Sequence, residues 1–242
     1  MQVLYEDNHI IAVAKRPGEI VQGDKTGDTP LVETVREYLR QKYNKPGNVF
    51  CGLVHRLDRP VGGVVLFAKT SKALTRLNAM LRDGEIRKTY WALVRNQPEP
   101  DEGRIEGYIK SVERNNKSYF SATETTGAKH AALSYKTIQK GKNLSLLEIN
   151  LETGRKHQIR VMLSSIGSPV RGDLKYGDKR SNPDGSISLH ARSVEFIHPV
   201  SKTPLKIIAP LPTDWPLQPD DPFDIPSSFE KFRGRVAQDG GN

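Results

Sequence analysis

Apolar and polar positions along this chain cluster, alternate and recur at helical spacing in turn, and each change of period marks an element. Residues 3–5 and 10–14 are short apolar runs separated by Glu6-Asp7-Asn8-His9 and followed by the turn signal Arg16-Pro17-Gly18, which predicts two strands. Leu31, Val35, Tyr38 and Leu39 then recur on one face. They predict an amphipathic helix with Thr29 as N-cap and Pro30 at its first position, stopped by Asn44 and Pro46-Gly47. Residues 63–68 read as a buried strand. Behind them Ser71 is expected to cap a helix in which Ala73, Leu74, Leu77, Met80 and Leu81 stay in phase as far as Gly84. Residues 88–94 are β-branched and aromatic, and a further strand is expected there.

Between 103 and 132 the periodicity weakens, and residues 114–118 and 123–127 read as exposed loops between short strands. Residues 133–139 and 144–151, joined by Gly141-Lys142-Asn143, predict a hairpin closed by Thr153-Gly154. Ile159, Met162, Leu163 and Ile166 place a helix from about Arg155 onward. Residues 187–190, 194–197 and 205–209 are further strand candidates. From 213 to 242 the chain is proline-rich and acidic, a tail or wrapping arm behind a main unit at 1–212. Local hairpins outnumber strand–helix–strand alternations, so the expected fold class is α+β with a mixed, largely antiparallel sheet.

Charge changes the picture next. Lysine and arginine total 37 against 28 acidic residues. From 213 on, three basic residues face six acidic ones, so residues 1–212 hold 34 basic and 22 acidic side chains. That surplus favours a polyanion, nucleic acid first, through Coulomb attraction and counterion release, although moderate basicity also serves solubility. The single cysteine, Cys51, excludes a disulfide framework and a multi-thiolate metal site and fits a reducing compartment, by default the cytoplasm. No apolar run approaches the roughly 18 residues of a membrane span, and the first residues have no secretory pattern.

Familiar catalytic signatures are missing: there is no glycine-rich phosphate loop, no HExxH and no histidine pair at i and i+4, and the six histidines are scattered. Two segments remain. In His55-Arg56-Leu57-Asp58-Arg59-Pro60 a charged cluster lies between apolar runs, and flanking arginines favour an ionised aspartate that is usable as a nucleophile. An aspartate making ordinary loop ion pairs would look the same. In Thr153-Gly154-Arg155-Lys156-His157-Gln158-Ile159-Arg160 a glycine turn leads toward a helix whose start carries several cations, either a phosphate grip or a solvated basic face.

Taken with Tyr5-Glu6-Asp7-Asn8, Lys15-Arg16-Pro17-Gly18, residues 88–94, Gly172-Asp173, Tyr176-Gly177, Leu189-His190-Ala191 and His198-Pro199, these segments resemble the RluA-type pseudouridine synthases from about residue 4 to 212. The resemblance implies the pseudouridine synthase fold with a central active-site cleft. It also implies isomerisation of a uridine in structured RNA, ribosomal or transfer, without cofactor or metal. By motif match Asp58 is the implied nucleophile, attacking C6 of the base or C1′ of the ribose or promoting loss of the 2′ proton; Tyr90 is the residue implied to stack on the base, where a strand aromatic packed in the core would look the same; Arg160 is the implied partner of the aspartate. Arg56 is implied to fill the gap left by a flipped nucleotide; His55, Arg155, Lys156 and His157 to contact phosphates; Lys69 and Lys88 to add general attraction.

Three features depart from the family. Val61-Gly62-Gly63 replaces Thr-Ser-Gly after the aspartate, Met162 replaces a histidine, and with Val3 already in the first strand no S4 RNA-binding domain is expected. A monomer is expected. Two other classes compete: an RNA-binding or chaperone protein that kept the scaffold without turnover, and a basic RNA hydrolase acting through His55 and Asp58.

Overall fold

The computed structural model describes residues 1–217 and Pro219. Strands β1 (Gln2–Glu6) and β2 (Ile10–Lys15) form the first hairpin. Asp7 closes it, its Oδ1 accepting the N–H groups of His9 at 2.7 Å and Ile10 at 2.8 Å. Helix α1 (Leu31–Lys42) buries Leu31, Val35 and Leu39. Pro30 takes the N-cap with extended backbone (φ −75°, ψ 151°) instead of the first helical position, so Thr29 lies outside the helix and no side chain caps it. Proline fits there because its fixed φ is compatible with extended backbone.

Strand β3 (Gly52–Leu53) pairs with β4 (Gly62–Ala68), every residue of which is buried. Alternate side chains of β4 enter two different cores: Val65 and Phe67 join α1, while Val64, Leu66 and Ala68 face Ala73 and Leu77 of α2 (Ser71–Arg82). Thr70 caps α2, its Oγ1 accepting the N–H of Ala73 at 3.1 Å, so the cap falls one residue before the expected Ser71.

Strands β5 (Arg87–Val94), β6 (Glu102–Val112), β7 (Lys117–Ser121), β8 (Lys129–Lys140) and β9 (Ser145–Leu151) follow. The stretch of weak periodicity thus holds the eleven-residue strand β6. Its inward positions are Ile105, Gly107 and Ile109, and the glycine that interrupts the apolar alternation makes room for Phe120, whose ring would lie 2.7 Å from a Cβ at 107. Helix α3 (Gln158–Ser165) begins three residues later than expected. The two strands expected at 187–190 and 194–197 are one, β10 (Leu189–Ile197), in which buried His190, Arg192, Ser193 and Glu195 break the apolar run. Strand β11 (Pro204–Ile208) pairs with it.

The sheet runs β1-β2-β4-β10-β5-β9-β8-β6-β7, with β3 and β11 attached beside β4 and β10. Among the described residues every strand pairing is antiparallel except β4 with β10, which is parallel and only two residues long (His190 with Gly62, Ala191 with Gly63). That short contact is the seam between an N-terminal and a C-terminal half of the sheet, and α1 and α3 share the core on one side of it. Trp215 packs with Trp91, Leu93 and Leu146, so the packed body continues past Pro212. Position 218 and positions 220–242, with most of the acidic tail, lie outside the described residues. Among the described residues no helix is long and apolar enough to cross a membrane.

Candidate active site

At the seam the two halves meet backbone to backbone. Gly63 has φ +119°, and a Cβ there would lie 2.2 Å from the carbonyl oxygen of Ala191, so only glycine lets β4 reach β10. The loop just before β4 carries Asp58, and Lys15 at the end of β2 ties that loop down. Its Nζ donates to the carbonyls of Val61 at 2.7 Å, Arg59 at 3.0 Å, Arg16 at 3.1 Å and Asp58 at 3.3 Å. Lys15 is buried, and burial pushes its pKa down to about 8, so at neutral pH it holds these dipoles as a cation. The N–H of Gly18 adds a bond to the Arg59 carbonyl at 2.8 Å. A loop without the two family hydroxyls is therefore fastened through its backbone by the segment around Lys15.

The carboxylate of Asp58 keeps 29% of its side-chain surface exposed, and its Oδ2 accepts from Arg160 Nη1 at 2.9 Å. Arg160 is itself clamped: Nε and Nη2 donate to Asp173 Oδ2 and Oδ1 at 2.7 and 2.9 Å, and Asp173 is fully enclosed. The fork of two parallel bonds fixes the guanidinium plane and leaves Nη1 aimed at Asp58. Burial opposes the charge on Arg160, but the two carboxylates outweigh it and raise its pKa. Arg59, expected to flank Asp58, turns outward to Asp28 at 2.7 Å and Asp24 at 3.3 Å, so the cation that steadies Asp58 comes from 102 residues downstream.

Tyr90, on β5, is buried in the core that contains Leu57, Val61 and Ile159. Burial and the nearby Asp58 both push its pKa up, so the phenol keeps its proton. Of the seven expected RNA contacts, Arg56 and Lys156 are exposed, and so is Arg155, whose Nε donates to the His130 carbonyl at 2.8 Å. His55 instead turns inward: Nε2 accepts the N–H of Leu66 at 3.2 Å, and burial pushes its pKa down to about 3, so it is neutral and braces β4. His157 is buried beside Asp58. Lys88 has its pKa lowered by burial. Lys69 lies at the far end of β4, paired with Glu6 at 2.7 Å.

The basic stretch before α3 is a turn, not helix. Gln158 Oε1 accepts the N–H of Arg155 at 2.9 Å and the hydroxyl of Thr153 at 2.8 Å, and His157 takes left-handed backbone (φ 55°) at the N-cap. The expected cradle of free helical N–H groups near Arg155 is therefore replaced by a closed turn that delivers Arg160 to Asp58. Lys15 and Asp173, which hold the site together, lie in Lys15-Arg16-Pro17-Gly18 and Gly172-Asp173, segments whose sequence assigns them no role; no local pattern distinguishes a lysine that binds carbonyls 43 residues away.

A partly exposed carboxylate, held by a clamped guanidinium, lies beside a buried tyrosine and near the exposed cations Arg56, Arg155 and Lys156. A family model described as RNA pseudouridylate synthase matches residues 9–165, and the chain belongs to that family: it is an RNA pseudouridine synthase of the RluA type. It is similar to ribosomal large subunit pseudouridine synthase D of Zymomonas mobilis, 32% identical over 227 residues that cover 90% of this chain and 71% of the relative. It is also 32% identical, over 217 residues, to the uncharacterized RNA pseudouridine synthase YlyB of Bacillus subtilis, covering 88% and 70% of the two chains. Among solved structures, human RNA pseudouridylate synthase domain containing 4 superposes with a TM-score of 0.73 at 23% identity, covering 88% and 89%, a likeness of fold.

Proposed function

We propose that Asp58 is the nucleophile of this synthase, that Tyr90 supports the target base and that Arg160 is the counter-ion that keeps the carboxylate charged and in place. The observation that carries this reading is the 2.9 Å pair between Arg160 and a partly exposed Asp58, fixed from behind by Asp173. In the reaction the C1′–N1 bond of a uridine breaks, the uracil turns, C1′ bonds to C5, and the C5 proton is released as N1 takes one up. The product is an isomer, and the balance needs no oxidant.

A base in structured RNA must first leave its stack, at a cost of about a few kcal/mol. Arg56, exposed two residues before Asp58, is the side chain we assign to the vacated space. Lys156 and Arg155 supply phosphate contacts at the rim, so binding weakens as salt rises. The similarity to a ribosomal large subunit enzyme supports ribosomal RNA as the first target to test, with transfer RNA second. We further propose that the protein works in the cytoplasm as a monomer.

The test is to incubate the purified protein with total RNA from a strain lacking its gene and to map pseudouridines. New sites are expected with the wild-type protein and none with Asp58→Asn, while the RNA affinity of that variant stays within about threefold. A chaperone that had lost turnover would add no site with either protein. A hydrolase would shorten the RNA on a denaturing gel.

A further inference from the structure

Behind Asp58 lies a second chain of contacts that the reaction as described does not use. His157 Nε2 stands 3.6 Å from Asp58 Oδ2, the same oxygen that Arg160 holds. The other ring nitrogen, Nδ1, is 2.8 Å from the hydroxyl of Tyr176. That hydroxyl accepts the backbone N–H of Ser118 at 2.7 Å, and Ser118 Oγ donates in turn to the Lys156 carbonyl at 2.7 Å. His157, Tyr176 and Ser118 are all buried, and Tyr176 is further fixed by the Arg160 guanidinium 5.0 Å over its ring.

The direction of these bonds follows from the chemistry of the groups. A backbone N–H only donates, so the Tyr176 oxygen spends one lone pair on Ser118 and has its own proton to place. Among the described residues, Nδ1 of His157 is the one group bonded to this hydroxyl that can accept that proton. A neutral imidazole that accepts at Nδ1 carries its hydrogen on Nε2, which faces Asp58. Burial lowers the pKa of His157, so the neutral ring is the form present at pH 7. The left-handed backbone at His157 (φ 55°), a conformation that histidine adopts more readily than most side chains, turns the ring inward while Arg155 and Lys156 stay at the surface.

We propose that His157 is a positioning residue, locked by Tyr176 as the Nε2–H tautomer, which together with Arg160 occupies Asp58 Oδ2 and so leaves Oδ1 as the oxygen that reacts with the nucleoside. This rests on the role of Asp58 proposed above. It replaces the phosphate contact expected of His157 with a contact inside the site. At 3.6 Å the separation is longer than a hydrogen bond, so the ring acts on Oδ2 as an oriented N–H dipole beside the bond from Arg160.

The test uses the full chain labelled with [15N]histidine, with the His157 signals identified by their loss in His157→Asn, a change compatible with left-handed backbone. Proton–nitrogen correlation is expected to give the Nε2–H pattern in the wild-type protein and a mixture of tautomers in Tyr176→Phe. On an RNA substrate, Tyr176→Phe should lower kcat about tenfold with KM within about twofold, the size expected for losing the orientation that one hydrogen bond supplies. His157→Gln, whose amide N–H falls near the place of Nε2–H, should recover most of the kcat that His157→Asn loses. A dominant Nδ1–H tautomer in the wild-type protein, an unchanged kcat in Tyr176→Phe, or equal losses in His157→Gln and His157→Asn would each overturn the proposal. A wild-type protein that makes no pseudouridine would defeat the functional reading instead, and the tautomer pattern would still decide how Asp58 is held.

Discussion

Strand β4 has a charged cluster at each end, and the two are built to opposite rules. At the far end both carboxylate oxygens of Glu6 are saturated: Oε2 accepts from Lys42 at 2.7 Å and Tyr38 at 3.0 Å, and Oε1 from Lys69 at 2.7 Å and Tyr43 at 2.6 Å. At the near end Asp58 receives one donor, Arg160, on Oδ2, while its side chain stays 29% exposed. A fully satisfied carboxylate stabilises a fold and has nothing left to offer a substrate. A half-satisfied one is held in place yet still able to react.

The largest effect that would separate the two ends is on turnover. Asp58→Asn should reduce pseudouridine formation more than about 1,000-fold with the thermal midpoint nearly unchanged, because a partly exposed carboxamide needs no buried counter-charge. Single-turnover assays with saturating protein measure the first quantity and calorimetry the second. A variant that unfolds would mean that Asp58 is as structural as Glu6.

Gly63→Ala should be next, and it acts on the fold itself. A Cβ 2.2 Å from the Ala191 carbonyl, at φ +119°, forces the two halves of the sheet apart, with an expected loss of at least about 3 kcal/mol in urea unfolding. A midpoint within the error of wild type would show that the seam is pliable.

These two residues also mark how far sequence reasoning reaches. Asp58, Tyr90 and Arg160 could be singled out because they sit in short ordered motifs, and the fold brings Asp58 and Arg160 within 2.9 Å; most strands and all three helices followed from apolar period. What escaped was contact between distant segments. Nothing around Arg59 shows that it turns to Asp24 and Asp28, or that Lys69, which looks like a free surface cation, closes on Glu6. The stretch around β6 was obscured by Gly107, whose reason is a phenylalanine on the neighbouring strand. Cap positions shifted by one to three residues because Thr70 and Gln158 complete turns that local propensity does not rank.

Lys15→Met removes the cation that gathers the loop carbonyls and should cost about a hundredfold in kcat, since small displacements of a reacting group are that expensive. Its pH behaviour gives a second reading. The folded-state pKa, about 8, lies below the ordinary 10.5, so between these values the unfolded chain binds more protons and stability gains with rising pH. Relative to Lys15→Met, the wild-type protein should therefore gain stability from pH 8 to 10.5 while its activity falls on a basic limb near pH 8.

Glu6→Gln should leave turnover untouched and lower stability by about 2 kcal/mol at pH 7, from the loss of charged hydrogen bonds in an enclosed network. Burial opposes the ionised form of Glu6, but its four donors outweigh it and hold the pKa at about 2, against 4.5 ordinarily. A depressed carboxylate contributes above its unfolded value and loses that contribution as pH falls. The gap between wild type and Glu6→Gln should thus be full above pH 4.5 and close toward pH 2, which thermal midpoints across that range would register.

The smallest effect tests which cations meet RNA. Each phosphate contact adds about 0.7 to 0.9 to the slope of log affinity against log salt, so removing a contacting lysine flattens that slope by just under one unit. Lys156 is exposed beside the site, and Lys156→Met should show that change. Lys69 is surrounded by the Glu6 carboxylate, the Asp7 carbonyl and the Tyr43 hydroxyl, with the Tyr43 ring 4.5 Å below it, so its charge is already answered within the fold. Lys69→Met should leave the slope unchanged while lowering the thermal midpoint. If Lys69→Met flattens the slope as much as Lys156→Met does, the far end of β4 also touches RNA, and the division between a structural and a reactive end fails there first.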